Sequence, residues 1–278
     1  MQINLIFRTG VALLLGIVLG TAASQELSRD RLAKVFAKPP MVRTVPGTSG
    51  ATFSRYRDDD IASATFGVEL CVLAAKKGAG RLRVKDLRAH DSPVHAFESN
   101  LPMSAIGVLN GGFFGLDHAG ASVPLGLVRS EGKTLNKKHP WTSGGMIVAT
   151  GANASVIPIS RYPSSGEHAE VVQSKPLLVE GGQDGIRSAT ADRFDRSSVA
   201  LDKRGNLYFF VLHQPGGAAG SLAEFSYLLL HFRSANGEAI TEALAMDGGP
   251  GSHLFIPLLK VHCGSGMPNF VPNALYIE

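Results

Sequence analysis

The chain has 278 residues, of which 44% are apolar, 18% charged and 7% aromatic, and a formal net charge of +4. That composition buries enough apolar surface to offset the entropy of ordering, which excludes a disordered polar chain, and its small basic excess forms no dense stripe of the kind that binds nucleic acid. With 32 glycines and 15 prolines, it points to a turn-rich, strand-rich fold rather than a helical bundle.

Residues 1–23 have the three-part layout of an export signal. Arg8 lies in the leading segment, residues 11–19 form an apolar run, and Thr21-Ala22-Ala23-Ser24 supplies the small residues of a cleavage site. The apolar run is shorter than the ~20 residues that span a bilayer. The expectation is therefore cleavage near Ala23 and a periplasmic or secreted mature protein that does not span a membrane.

Residues 24–64 read as an N-terminal arm or linker. A short helix is expected over 28–37, followed by a stretch broken by Pro39, Pro40, Pro46, Gly47 and Gly50. Asp58-Asp59-Asp60 reads as a solvated acidic run, since the spaced ligands and turn glycine of a calcium loop are missing.

Residues 65–278 read as one α+β domain, with strand-rich mixed or antiparallel sheets and a few packed helices. Strands are expected over 66–74, 81–87, 104–109 and 125–129. Two hairpins follow, 146–149 with 155–159 around Thr150-Gly151-Ala152-Asn153, and 199–202 with 207–212 around Lys203-Arg204-Gly205-Asn206. Ser221 and Glu224 form a capping box that starts a helix, whose apolar face is Leu222, Phe225, Leu228, Leu229 and Phe232. A buried strand over 243–246 then runs into Asp247-Gly248-Gly249-Pro250-Gly251-Ser252.

The two cysteines, Cys71 and Cys263, are free to pair in an oxidising compartment. Cys71 also suits a buried strand, because Val68, Leu70 and Val72 surround it. Neither cysteine has a second metal ligand at zinc-site spacing, and His90 and His95 belong to no H-E-x-x-H motif. Phosphate-loop, dinucleotide and G-x-S-x-G nucleophile motifs are absent.

Two glycine-rich turns that each follow an apolar strand remain, Asn110-Gly111-Gly112-Phe113-Phe114 and Asp247-Gly248-Gly249. Adjacent glycines admit a ligand close to the backbone, and a polar residue at a strand end is held rigidly, although such turns are more often only tight connections. With Pro124-Leu125-Gly126-Leu127-Val128, Gln173-Ser174-Lys175-Pro176-Leu177 and Arg196-Ser197-Ser198-Val199-Ala200-Leu201-Asp202 between them, the series resembles the phosphodiester glycosidase family, which has exported bacterial members. The likeness runs over roughly residues 66–257. It departs at Lys175, at Arg196-Ser197-Ser198, and at Pro250, where the family commonly has Ser-Gly-Pro, Arg-Thr-Ala and Asp-Gly-Gly-Gly-Ser-Ser.

The resemblance implies hydrolysis of a sugar-1-phosphodiester between the anomeric carbon and a phosphate oxygen. It casts Asp247 as the carboxylate that stabilises an oxocarbenium-like state or guides water, and Arg196 as the phosphate cation. Asn110 would hydrogen-bond the sugar, Gly111 and Gly112 would offer N–H groups to phosphate, and Gln173, Ser174 and Ser252 would supply further polar contacts. Asp117, Glu180 and Asp192 are available as a second carboxylate. The plainer roles stay open: Asp247 as a turn cap, Arg196 paired with Asp192 or Asp195, Asn110 favouring a left-handed turn. No cofactor is required, though a divalent cation at Asp247 is compatible with a hard-ion site. The partner is a carbohydrate phosphodiester, with no nucleic acid involved. The alternative is a catalytically inactive envelope protein that binds glycan or anionic polymer, which the departures at Lys175 and Pro250 keep open.

Overall fold

The computed structural model describes residues 29–88, 101–102, 104–163, 166, 168–188, 191–265 and 270–278. Residues 1–23, expected to be an export signal, and the pair His90 and His95 lie outside them. No helix among the described residues is long and apolar enough to cross a membrane.

The protein is strand-rich, and every strand pairing among the described residues is antiparallel. An eight-stranded sheet runs, in spatial order, Met41–Thr44, Ala51–Arg57, Glu69–Ala75, Leu207–His213, Arg196–Asp202, Ile240–Ala245, Leu177–Glu180 and Gln183–Asp184. A second sheet runs Asn153–Pro158, Gly145–Thr150, Glu170–Ser174, Val128–Ser130 and Lys133–Asn136. A third runs Val261–Gly264, His253–Ile256, Gly107–Asn110, Asn273–Ile277 and Leu82–Asp86. Among the described residues, helix is limited to Leu222–His231 and short 3-10 segments, so there the balance lies further toward strand than the α+β expectation.

Both faces of the large sheet are buried, and the period-2 alternation of strand side chains decides which residue serves which face. Leu70, Val72, Tyr208, Phe210 and Leu212 pack with Leu32 and Val35 of the 3-10 helix Asp30–Phe36 and with Phe225, Leu228 and Phe232. Cys71, Leu73, Phe209 and Val211 face the other way, onto Leu109, Leu254 and Leu275 of the third sheet and Ile147 and Val172 of the second. Each fully buried side chain of this kind stabilises the fold by roughly 1.5–3 kcal/mol. A hydrophobic strand covered on both faces shows no polar alternation in sequence, which is why residues 207–212 read simply as an apolar run.

The capping box is formed as the sequence predicts: Ser221 Oγ accepts from the Glu224 N–H at 3.2 Å, and Glu224 Oε2 accepts from the Ser221 N–H at 2.7 Å. Both hairpins form, with registers Thr150↔Asn153 and Leu201↔Leu207 at their ends. Cys71 and Cys263 are joined as a disulfide with a Cα–Cα distance of 6.4 Å, which ties the large sheet to the edge of the third. A second tie is Glu170, which is buried in the second sheet and accepts from the Val84 N–H of the third at 2.9 Å.

Two readings of the N-terminal segment are corrected. Met41–Thr44 and Ala51–Arg57, within the stretch read as arm, are strands of the large sheet; their prolines and glycines sit at the ends of the strands, where turns need them. Asp58 is not solvated. It is buried, accepting from Thr65 Oγ1 at 2.5 Å and from the Asp60 N–H at 3.1 Å, and it staples the turn that leads into Glu69–Ala75.

Candidate active site

The two glycine-rich turns meet where the large and third sheets adjoin. The strand Ile240–Ala245 stays in the large sheet through Met246, whose N–H donates to the Ser197 carbonyl at 2.9 Å; the next N–H, that of Asp247, donates instead to the Gly111 carbonyl at 3.0 Å. Asp247 is therefore the residue at which the chain leaves one ladder and binds the end of another. Its own carbonyl accepts from Asn110 Nδ2 at 2.8 Å and Ser197 Oγ at 2.7 Å, with Ser252 Oγ at 3.5 Å. Beyond it, the Gly249 N–H donates to the Asp195 carbonyl at 2.8 Å, holding the turn against the start of Arg196–Asp202.

Backbone fixed on this many sides holds Asp247 on the wall of a cavity of about 330 Å³ lined also by Phe113, Phe194, Arg196, Leu222, Phe225 and residues 248–250. A Cβ at residue 251 would stand 2.9 Å from Asp247 Oδ2, so glycine there leaves the carboxyl its space. Burial pushes the carboxyl up to about 7, opposed only by a hydrogen bond from the Gly248 N–H, and no charged neighbour enters the balance. A carboxyl in a cleft, displaced toward neutrality by burial, has the character of an acid–base catalyst.

Arg196 shares the cavity. Its Nε donates to the Gly220 carbonyl at 2.9 Å and its Nη2 to the Asp192 carbonyl at 2.8 Å, while the guanidinium lies 5.2 Å from the centroid of the Phe194 ring. Gly220 immediately precedes the helix cap, so the capping box also sets the arginine. Neither Asp192 nor Asp195 offers it a carboxylate at hydrogen-bond distance: Asp192 supplies a carbonyl, and the buried Asp195 carboxylate holds His213 Nδ1 at 2.7 Å. Burial lowers the Arg196 pKa against the opposing pull of Asp192, Glu224 and Asp195; a guanidinium stays charged regardless.

The other sequence candidates stand behind these two. Asn110 is fully buried, with its amide committed to the Asp247 and Gly111 carbonyls and its Oδ1 accepting from the His253 N–H at 3.1 Å. Its φ is not positive, so the left-handed-turn reading of Asn110 does not apply. The Gly111 N–H donates to the Asn273 carbonyl at 2.9 Å and the Gly112 N–H to Asn273 Oδ1 at 3.3 Å. These glycines serve close approach: a Cβ on Gly111 would collide with Asn273, and one on Gly112 would lie 2.7 Å from the Gln173 carbonyl.

Gln173 is buried. Its Oε1 accepts from the Leu127 and His139 N–H groups, each at 2.9 Å, and its Nε2 donates to the His139 carbonyl at 2.9 Å, so it latches loops rather than lining the Asp247 cavity. Ser174 is fully buried beside Gly112, and Ser252 beside the Asp247 carbonyl. Ser197, which also holds that carbonyl, is not among the candidate residues; in sequence it stands out as a hydroxyl side chain in an apolar strand and as part of the Arg196-Ser197-Ser198 departure.

Of the second carboxylates, Asp117 caps its own turn through the Ala119 and Ala121 N–H groups, Asp192 is exposed, and Glu180 pairs with Arg161 at 2.6 Å. Glu180 lines a wider cavity of about 630 Å³ that shares Phe113 and Leu222 with the first and also carries Lys175, Pro176 and Arg187. Departures from the family pattern thus fall on the cleft, Lys175 on the wide part and Ser197 and Pro250 on the narrow one. Among the described residues no group of three or more His, Cys, Asp or Glu side chains is gathered for a metal ion, so the carboxyl of Asp247 has no such donor set around it.

Comparison with known proteins agrees with this architecture. The phosphodiester glycosidase family matches residues 103–278, more than half of the chain. The chain belongs to that family, one of glycosidases and hydrolases. Among solved structures, it is similar to the zebrafish N-acetylglucosamine-1-phosphodiester alpha-N-acetylglucosaminidase catalytic domain auto-inhibited by its pro-peptide, with 12% identity, 87% of this chain and 88% of that chain covered, and a TM-score of 0.60. It is also similar to a Burkholderia pseudomallei protein inferred to be exported, at 14% identity, 92% and 89% coverage and a TM-score of 0.53. A hypothetical protein from Synechocystis is similar at 16% identity, 87% and 64% coverage and a TM-score of 0.52. At such identities the structural likenesses establish the fold alone. No curated protein matches the chain by sequence search.

Proposed function

We propose that the protein is an exported phosphodiester glycosidase that hydrolyses a sugar-1-phosphodiester in envelope or extracellular glycans. The observation that carries this reading is the Asp247 carboxyl, pushed up to about 7 by burial and sharing a cavity with the Arg196 guanidinium. The sugar would lie over Asp247 with its phosphate toward Arg196. As the bond from the anomeric carbon to the phosphate oxygen breaks, its electron pair stays with the phosphate, and the carboxylate stabilises the developing positive carbon. Water adds to that carbon and gives its proton to Asp247, which releases it to solvent. A phosphate monoester is a weak base, so it leaves without a general acid. That is consistent with the single carboxyl of the cavity.

Export is part of the same proposal, with residues 1–23 as the leader and residues 65–278 as the catalytic unit. The disulfide supports it, because such bonds persist in oxidising compartments. The test incubates the mature protein and its Asp247→Asn variant with sugar-1-phosphodiesters, N-acetylglucosamine-1-phosphate joined to glycerol first among them, and follows release of free sugar. Release by the parent and its loss in a variant of unchanged circular dichroism supports the reading. Saturable binding with no release refutes it in favour of a glycan-binding protein.

A further inference from the structure

The wide part of the cleft takes no part in the bond cleavage described above, yet it is built with charge. Its titratable side chains are Lys175, Arg187 and Glu180. Glu180 is neutralised from outside by Arg161 at 2.6 Å, whereas neither Lys175 nor Arg187 has an ion-pair partner among the salt bridges of the described residues. The lining is therefore net positive, and a cleft with low-dielectric walls concentrates that potential.

Lys175 is also held in place. It is half-buried, and its ammonium lies 5.0 Å from the centroid of the Trp141 ring, a cation–π contact. Trp141 packs edge-on against Phe113 at 6.3 Å and lies tilted at 35° against His139 at 4.7 Å. His139 in turn is fixed through its N–H and carbonyl by the buried Gln173. A flexible side chain braced in this way on a cavity wall differs from a solvated surface lysine. Since Asp247 acts at the anomeric carbon, the sugar occupies the narrow part, and the rest of the substrate extends past Phe113 and Leu222 into the wide part.

We propose that the wide cavity is an acid-accepting subsite for the aglycone, with Lys175 as its specificity-determining residue: the substrates selected are sugar-1-phosphodiesters whose aglycone carries a further phosphate or carboxylate. This rests on the hydrolase reading, and it deepens it by naming the class of substrate. Trp141 sets the position of the ammonium, and Arg187 adds a second positive charge at the mouth.

Three probes share one sugar-1-phosphate and differ in aglycone: glycerol, glycerol phosphate and glucuronic acid. Binding is measured by calorimetry on the Asp247→Asn protein, which does not turn them over, and kcat/KM on the parent. The acidic aglycones are expected to bind about 10-fold more tightly than glycerol at low salt, equal to about 1.4 kcal/mol. The ratio should fall toward 1 in 0.5 M salt and in Lys175→Gln, and be retained in Lys175→Arg. A preference confined to phosphate or to carboxylate identifies which acid is the source. An unchanged ratio in a folded Lys175→Gln protein, or no preference in the first place, overturns the inference. Turnover of all three probes at equal kcat/KM refutes this subsite while sparing the hydrolase; acid-selective binding with no turnover by the parent does the reverse.

Discussion

Asn110 offers the sharpest test of how the site is held. If it acts by positioning Asp247 rather than by touching sugar, replacing it with alanine must destabilise the protein as well as slow it. Asn110→Ala removes the bonds to the Asp247 and Gly111 carbonyls at 2.8 and 3.3 Å and the acceptor of the buried His253 N–H at 3.1 Å. Loss of an acceptor from a buried N–H costs about 1–3 kcal/mol, and loss of one of the two short donors to the Asp247 carbonyl costs about 1 kcal/mol, because Ser197 Oγ remains at 2.7 Å. The total is about 2–4 kcal/mol. Ser197→Ala alone should cost about 1 kcal/mol, since Asn110 then remains. The double variant should cost more than the sum by at least about 0.5 kcal/mol, because the shared carbonyl loses both strong donors together. Urea unfolding of the four proteins measures this directly, through midpoints at constant slope. Additive losses, or an Asn110→Ala protein within about 0.5 kcal/mol of the parent yet devoid of turnover, would refute positioning and return Asn110 to the sugar.

Asp247 couples function to stability with a defined sign. Its carboxyl is raised from 3.8 to about 7 in the folded protein, so between these values the folded state holds the proton more tightly than the unfolded chain. The stability this contributes is full below about pH 4 and is lost as pH rises through 7, a cost of up to about 4 kcal/mol at high pH. Asp247→Asn should therefore raise the melting temperature at pH 8 but not at pH 4, while abolishing hydrolysis. In the parent, kcat/KM should rise with pH to a plateau above a midpoint near 7; a rate independent of pH from 5 to 9 would remove Asp247 as the base. Arg196→Lys should behave almost as Arg196→Gln, each losing about 10²–10³ in kcat/KM, because two of the three guanidinium nitrogens are spent on the Gly220 and Asp192 carbonyls and an ammonium cannot replace the fork. Full activity in Arg196→Lys would show that a point charge suffices. Removal of the disulfide by Cys71→Ser with Cys263→Ser should cost about 2–5 kcal/mol, read as a lowered urea midpoint that reductant no longer affects.

Local chemistry carried much of this protein in its sequence. The capping box at Ser221 and Glu224, the two hairpins and the strands flanking the glycine-rich turns depend on neighbours a few residues apart, and those neighbours are visible in one dimension. So are Asp247 and Arg196, because a polar residue at the end of an apolar strand is conspicuous. Residues 41–57 were not legible as strands: edge strands are short and interrupted by turn residues, and what makes them strands is the Glu69–Ala75 ladder beside them. Nor was the division of labour at the site. Asn110, Gly111, Gly112 and Gln173 carry polar groups that sequence alone assigns as readily to ligand as to backbone, and only the convergence of the sheets shows them bonded to Asp247, Asn273 and His139. The Cys71–Cys263 bond, the burial that lifts the Asp247 carboxyl and the charged wide cavity likewise join residues far apart in the chain. Residue types and local spacing fixed which groups were available for chemistry; their desolvation and mutual distances arise only when three sheets pack together, and those quantities decide what the groups do.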